Sequence, residues 1–222
     1  MRVFPVLLVC SWLFVTTPTS AQLPNTVPYQ SGDSWTYKIY SNGKLAAHKV
    51  YSVGPISKDG YLLFMRRDVV PETPPTTPRL HGFSSTTTCL YDFVLEQTMD
   101  LAESCSIALE KDRQWRVLTE VEANTASNQY TVVGLEEITV PAGKFTAVRI
   151  DSKREQRPKV AMAGHGQPGK YLDSNASYWF VPSVKAFVKF ALVGRNESGK
   201  VLFETAYEMT EFQHGQVATP AK

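Results

Sequence analysis

Two segments of the chain, Leu135–Asp151 and Ser177–Leu192, each contain two β-rich runs separated by a break that a regular strand cannot cross. The break is Pro141–Gly143 in the first segment and Pro182–Ser183 in the second. Proline lacks the N–H that a sheet ladder needs, and glycine readily adopts a positive φ, so both breaks predict turns between strands. The two segments therefore predict neighbouring antiparallel strands, and they constrain the fold more than any other part of the chain.

Apolar side chains occupy every second position of several segments, as at Trp35, Tyr37 and Ile39. This period of two is typical of a strand with one buried face. About ten such runs, separated by turn residues, predict an all-β fold: a single antiparallel sheet domain with very little helix, forming a curved sheet, an open barrel or a sandwich. Only Leu101–Lys111 is patterned like a helix, and the proline- and glycine-containing segment Gln156–Gly169 predicts a long mobile loop.

The N-terminus has the pattern of a secretory signal peptide. Arg2 precedes a mostly apolar run of 13 residues, Val3–Val15, and the small residues Thr19–Ala21 follow it. The apolar run is shorter than the ~20 residues that a membrane-spanning helix needs. Cys10 raises the alternative of a lipidated N-terminus, but the bulky Val9 before it disfavours acylation. We therefore expect cleavage near Ala21 and a periplasmic or secreted product.

The predicted organisation is a signal peptide (1–21), a lead-in (22–31), one β domain (32–212) and a C-terminal tail (213–222). The processed chain would have 201 residues and a net charge of +1, and the sequence is 43% hydrophobic. A charge balance this even does not favour nucleic acid or an anionic membrane as the main partner. No segment after residue 21 is apolar enough to span a membrane, so the processed chain is expected to be soluble.

Two cysteines, Cys89 and Cys105, remain after the predicted cleavage. In an oxidising compartment such a pair favours a disulfide, which would stabilise the fold by roughly 3 kcal/mol, over two buried thiols. A redox-active pair is not expected, because the CxxC spacing is absent.

Three motifs give the chain a family resemblance. Val140–Ile150 resembles "VPAGxFxAxRI", Tyr178–Phe190 resembles "YWYAPxVGxVKY", and Gly32–Tyr37 resembles "GDxWxY". The chain is thus similar to uncharacterised bacterial envelope proteins and lipoproteins that carry a domain of unknown function. The resemblance implies an exported antiparallel sheet, similar in fold to periplasmic lipoprotein carriers, and it implies no activity. Lys185 stands where the second pattern often has glycine, a departure that bears on the tightness of that turn.

One catalytic motif can be weighed against the strand pattern. Gly32–Ser34 matches the nucleophile block of Gly-Asp-Ser esterases, and Glu211–His214 imitates their Asp-x-x-His. Such a serine sits at a strand-to-helix turn, whereas Ser34 leads directly into an alternating strand, so a hydrolase using Ser34 is the minor alternative. Since the four histidines are far apart in sequence and no HxH, HExxH or Cys/His cluster occurs, we predict no catalytic residue, no metal and no cofactor.

Charge is uneven along the chain: Lys144–Lys170 carries a net +5, and Glu120–Glu137 is acidic. The basic segment could dock an anionic partner, but alternation along a strand would divide its charges between two faces. We therefore favour a solvated strand whose charges pair with the acidic segment across the sheet.

The aromatic residues suggest the function. If the sheet curls into an open barrel, one face could line an apolar cavity, and the ligand-binding candidates are Trp35, Tyr37, Tyr178 and Trp179. The leading hypothesis is an exported, non-enzymatic envelope protein that binds a lipid-like apolar ligand or a protein partner on this sheet. The competing hypothesis is a structural or interaction module with a filled core that contacts its partner through Pro71–Pro78 and Gln156–Gly169.

Overall fold

The computed structural model describes residues 27–55, 62–69, 79–83, 87–88, 91–92, 94, 97–98, 109–121, 124–158 and 172–215. The predicted signal peptide, Cys89, Cys105, Pro71–Pro78 and the predicted helix up to residue 108 lie outside these ranges. Across the described ranges the chain forms β-strands, and the one helical element is a 3₁₀ turn at Pro182–Val184. The all-β prediction is confirmed.

Fourteen strands are described, in this order along the chain: β1 (Val27–Pro28), β2 (Ser34–Ser41), β3 (Lys44–Val53), β4 (Leu62–Val69), β5 (Arg79–Phe83), β6 (Thr87–Thr88), β7 (Tyr91–Asp92), β8 (Gln97–Thr98), β9 (Gln114–Val121), β10 (Asn124–Val140), β11 (Gly143–Pro158), β12 (Leu172–Val181), β13 (Ala186–Arg195) and β14 (Val201–Gln213). Strand β1 pairs with β6 and β7 pairs with β8, each as a small two-stranded sheet. The other ten strands form the main sheet.

The main sheet has the order β5-β4-β3-β2-β14-β13-β12-β11-β10-β9, and all of its neighbours are antiparallel. Each half is a meander of hairpins, and the halves meet where β2 pairs with β14. The first and last long strands of the chain therefore lie side by side in the middle of the sheet. Among the described residues, the edge strands β5 and β9 are not paired with each other, so the sheet is open.

The turns follow from the residues that the sequence places at the breaks. Asn42 and Gly43 have φ of 50° and 75°, and this pair of positive values is the usual two-residue hairpin conformation. Pro141 and Ala142 join β10 to β11 as predicted. The prediction of a loop from Gln156 is wrong for its first three residues, because β11 continues to Pro158 in register with β10, and residues 159–169 lie outside the described ranges.

The sheet is curved. The amide of Ala142, in the β10–β11 turn, donates to the carbonyl of Met209 in β14 at 3.1 Å, although β12 and β13 lie between β11 and β14. The rings of Phe145 and Phe212 also meet, with centroids 6.1 Å apart. A β-bulge between Met209 and Glu211 accompanies this contact, and bulges bend the strand that carries them. The curl leaves one face of the sheet concave.

The hydrophobic core lies on the face that carries Tyr37, Tyr178, Phe190 and Tyr207, which we call the inner face. Val94, from the segment between β7 and β8, is also buried in this core, so the inner face is partly covered there. The opposite face, which carries alternate residues such as Ser177 and Lys189, is the outer face.

Candidate functional site

A continuous band of aromatic rings crosses the inner face. Successive ring centroids are 5.0 Å (Trp115–Tyr130), 6.5 Å (Tyr130–Tyr178), 4.8 Å (Tyr178–Phe190), 5.1 Å (Phe190–Tyr207), 5.3 Å (Tyr207–Tyr37) and 5.9 Å (Tyr37–Tyr51) apart. All seven side chains are at most 9% exposed. Such contacts contribute roughly 0.5–1.5 kcal/mol per pair beyond area burial, so this aromatic band is first of all a structural core.

At one end of the band the inner face has a pocket of about 220 Å³. Five side chains form its apolar part: Tyr130, Ala176, Tyr178, Phe190 and Leu192. The other four lining residues are polar: Asn128, Ser152, Arg154 and Ser174. The pocket therefore joins an apolar floor to a polar rim, and it spans β10 to β13.

Strand register produces this division. Ser152, Ala176 and Leu192 lie opposite one another on β11, β12 and β13. Two residues further along, Arg154 lies between Asn128 on β10 and Ser174 on β12. Because every second residue faces the pocket, β10 passes from Tyr130 to Asn128 and β12 from Ala176 to Ser174 within one repeat of the pleat, whereas β11 contributes two polar residues and β13 two apolar ones.

Arg154 is the charged member of the pocket lining. Its Nε is buried and has no hydrogen-bond partner within the described parts of the chain. Its Nη2 donates to Gln156 Oε1 at 3.4 Å, a long contact for a charged donor. Among the residues that the structure describes, Arg154 thus has no carboxylate partner of the kind that usually accompanies a half-buried guanidinium.

On the outer face, by contrast, the charges of β11 have partners. Arg149 binds Asp151 (2.9 Å) and Glu136 (3.5 Å), Lys153 binds Glu155 (2.7 Å), and Arg157 binds Asp173 (2.6 Å). Near the β10–β11 turn, away from this row, Lys144 binds Glu137 (2.7 Å). The hydrogen bond from Lys144 lowers the pKa of Glu137, and the one to Asp151 raises the pKa of Arg149. The predicted pairing with the acidic segment is confirmed for Arg149 with Glu136 and for Lys144 with Glu137, whereas Lys153 and Arg157 bind carboxylates outside that segment.

The predicted ligand-binding residues do not all share a face. Trp35 and Tyr37 are 1% exposed and Tyr178 is 3% exposed, all on the inner face. Trp179 points to the outer face, where the guanidinium of Arg149 and the ammonium of Lys189 lie 5.6 and 5.9 Å from its ring centre. Of these residues, Tyr178 lines the pocket.

Sequence reasoning missed Arg154, Ser152 and Ser174. A usable signal was present: Ile150 is an inward residue of β11, so the period of two places Ser152 and Arg154 on the same face. The segment predicted to form this strand pair ended at Asp151, before the pattern reaches Ser152 and Arg154.

A second polar cluster lies at the other end of the inner face, around Asp33. The Asp33 side chain is fully buried and accepts hydrogen bonds from Gln30 N (2.7 Å), Gly215 N (2.8 Å) and Lys185 Nζ (2.9 Å). A Cβ on Gly215 would overlap the Ser31 carbonyl oxygen, so only glycine approaches this closely. We call these groups the Asp33 clasp.

The contacts of Lys185 show how a lysine is accommodated where the motif pattern often has glycine. Its φ is 61°, the left-handed conformation that a glycine would adopt without strain, and its amide donates to Pro182 O at 3.1 Å. The turn is therefore tight despite the side chain, and the ammonium group reaches Asp33. Nearby, Trp35 Nε1 donates to Val184 O at 2.8 Å, which ties the same turn to β2.

In the Gly-Asp-Ser motif, Asp33 is the residue that accepts the hydrogen bonds of the Asp33 clasp. His214 Nδ1 lies 3.7 Å from Asp33 Oδ1, so the histidine approaches the aspartate. Ser34 is the next residue along β2 and faces away from the inner face that Asp33 and Trp35 share. Asp33 thus has a role in holding the fold together that needs no reaction at Ser34.

Lys49 is a further charged group on the inner face, on β3. Its partial burial, together with the nearby charge of Arg66, lowers the pKa of Lys49, while Asp68 opposes the shift. On the other face of β3 and β4, a shallow pocket of about 200 Å³ is lined by Val50, Ser52, Met65 and Arg67. It lacks an aromatic floor.

The described residues contain no group of three or more His, Cys, Asp and Glu side chains placed to hold a metal ion. Within the same ranges, no helix has the length and hydropathy needed to cross a membrane.

Comparison with known proteins gives only distant structural matches. No protein-family model matches the chain, and no curated protein does. A candidate lipoprotein from Parabacteroides distasonis is 13% identical, with a TM-score of 0.48 over 84% of this chain and 97% of that one. A candidate exported protein with a YmcC-like fold from Bacteroides fragilis is 11% identical, with a TM-score of 0.46 over 87% and 100%.

The hypothetical lipoprotein YmcC from Escherichia coli is 10% identical, with a TM-score of 0.37 over 83% of this chain and 86% of that one. Likenesses this distant carry no function over to the chain.

Proposed function

We propose that the chain is an exported, non-enzymatic envelope protein that binds a lipid-like, largely apolar ligand in the pocket between β10 and β13. The observation that carries this proposal is the pocket itself: a concavity on the inner face with Tyr130, Tyr178, Phe190 and Leu192 in its lining. Small-molecule sites are concave and mostly apolar, with a few polar groups that orient the ligand. The N-terminal signal pattern supports export.

The size of the pocket limits the ligand. Pockets for drug-sized molecules usually measure ~300–1,000 Å³, and this one measures about 220 Å³. It would hold one short alkyl chain, or one part of a longer lipid whose remainder extends along the open sheet. A large or multi-chain ligand would not fit within it.

The proposal is tested by filling the pocket. Ala176 is 7% exposed and lines the cavity, so Ala176→Phe places a ring inside it. Asn175→Phe is the matched control, because Asn175 is the preceding residue of β12 and is exposed on the outer face. The three proteins would be purified from the envelope of expressing cells and analysed by native mass spectrometry, with circular dichroism as a check on folding.

We expect an apolar adduct on the wild type and on Asn175→Phe, and its loss from Ala176→Phe. Adduct-free protein in all three samples, or an adduct that survives in folded Ala176→Phe, would contradict the proposal. Recovery of adduct-free wild type cross-linked to one defined envelope protein would favour the interaction module instead.

A further inference from the structure

The second inference rests on the proposed function and specifies the ligand. We propose that the pocket binds a single-chain amphiphile with an anionic head group, and that Arg154 is the residue that binds this group. Three observations of the pocket lead to this proposal: a guanidinium with no carboxylate partner among the described residues, the neutral polar groups around it, and the apolar row next to it.

The hydrogen-bonding state of Arg154 is the first observation. A buried donor without a partner is destabilising, and more so when it is charged, so native structures rarely leave one. Arg149 and Arg157, on the same strand but on the outer face, each bind a carboxylate within 3 Å. Arg154 Nε has no such partner among the described residues. An anionic ligand in the pocket would give the guanidinium of Arg154 the charged acceptor that no described residue supplies.

The surroundings of Arg154 are the second observation. Its immediate cross-strand neighbours on the inner face are Asn128 and Ser174, and Ser152 precedes it in the lining. All three are neutral, so none of them offsets the positive charge. Carboxylate and phosphate groups both match the planar fork of a guanidinium, which makes an anion the head group that this rim favours.

The arrangement of polar and apolar lining is the third observation. Ala176 and Leu192 lie one inward position beyond Ser174 and the Arg154 row, a separation of roughly 7 Å along the strands. Tyr178 and Phe190 follow one further repeat away. A head group at Arg154 would therefore place the first carbons of its chain against Ala176 and Leu192, and later carbons against the aromatic floor.

Probes that differ only in the head group test this assignment. Octanoate, octyl phosphate and octan-1-ol share one chain length, and binding of each to delipidated full-length protein would be measured by calorimetry. We expect octanoate or octyl phosphate to bind about tenfold or more tightly than octan-1-ol, since hydrogen bonds to charged groups are the stronger ones. The better of the two anions distinguishes a carboxylate ligand from a phosphate ligand.

Variants locate the effect. Arg154→Gln should reduce the preference for the anionic probes to near unity while octan-1-ol affinity stays unchanged. Arg157→Gln, which removes a cation from the outer face of the same strand, should retain the preference. Should Arg154→Gln fold poorly, the comparison of acid with alcohol on the wild type still decides whether the pocket prefers an anionic head group, and equal affinities there would overturn the proposal.

The outcomes separate the two proposals. Equal affinities for the anions and the alcohol, all abolished by Ala176→Phe, would overturn the role of Arg154 and leave the pocket proposal standing. A preference for anions that persists in folded Arg154→Gln would likewise overturn it. Absence of binding by every probe would overturn both proposals together.

Discussion

Asp33 and Arg154 are charged side chains at opposite ends of the same inner face, and they differ in how completely their hydrogen bonds are made. Asp33 accepts from three donors within 2.9 Å and is fully buried. Arg154 has one contact of 3.4 Å and a buried Nε with no partner among the described residues. The hydrogen bonds of Asp33 are therefore made within the fold, whereas the guanidinium of Arg154 has no charged acceptor among the described residues. The comparison supports the proposal that the Asp33 clasp stabilises the fold and that the Arg154 pocket is the binding site.

The largest expected effect is the contrast between Asp33→Ala and Arg154→Ala. Removing the Asp33 carboxylate leaves Lys185 Nζ and the amides of Gln30 and Gly215 without their acceptor. Breaking a buried ion pair from one side typically costs about 3–5 kcal/mol, so we expect a loss of that order in the free energy of unfolding. Arg154→Ala removes an unsatisfied charge and should change stability by less than about 1 kcal/mol.

Urea denaturation of both variants measures this contrast. Similar losses for the two would mean that Arg154 is as integral to the fold as Asp33, and the division of roles between the two ends would fail. Both variants must keep the wild-type m-value for this comparison, because a change in the denaturant dependence of the unfolding free energy reports a change in the surface exposed on unfolding.

Local patterns and long-range contacts differ in how far the sequence predicts them. Alternation at Trp35 and Tyr37, and the turns at Pro141 and Pro182, depend on neighbouring residues and were predicted correctly. The partners of Asp33 are up to 182 residues away. No local pattern indicates that Lys185 and Gly215 meet at Asp33, and so the motif was interpreted as a turn before a strand.

The pocket was predicted in outline only. Period-two reasoning indicated that a curved sheet could line a cavity with aromatic residues such as Tyr178, which does line it. It could not indicate which aromatic rings become core, because Trp35 and Tyr37 are buried by parts of the chain distant in sequence. The same pattern did not identify Arg154 as a pocket residue. The end of β11 is polar and resembles a loop in sequence, and its strand conformation depends on pairing with β10.

A smaller difference in stability is expected between substitutions of two buried tryptophans, Trp35 near the Asp33 clasp and Trp115 in the aromatic band. Trp35 Nε1 donates to Val184 O, whereas the buried Nε1 of Trp115 has no partner among the described residues. Trp35→Phe and Trp115→Phe remove similar volumes, but only the first also removes a hydrogen bond. We therefore expect Trp35→Phe to be more destabilising by about 1 kcal/mol in thermal or urea unfolding. Equal losses would show that packing alone decides both positions.

The smallest expected difference in stability is between two substitutions of Lys185. It separates the contribution of the ion pair with Asp33 from that of the left-handed backbone conformation. Lys185→Gly and Lys185→Met both lose the ion pair with Asp33, so both should be clearly less stable than the wild type. They differ in backbone conformation, because a φ of 61° strains methionine by roughly 1–2 kcal/mol and does not strain glycine.

The stability advantage of glycine is reduced by about 0.4–1 kcal/mol, because glycine increases the conformational entropy of the unfolded chain. We therefore expect Lys185→Gly to be more stable than Lys185→Met by about 0.5–1 kcal/mol in urea denaturation. If Lys185→Gly were as stable as the wild type, the ion pair with Asp33 would contribute only about 0.5–1 kcal/mol, the amount that glycine gains net from the unstrained turn. A protein that keeps lysine in a conformation suited to glycine should instead lose stability with either substitution, because the ammonium group is what satisfies the buried carboxylate.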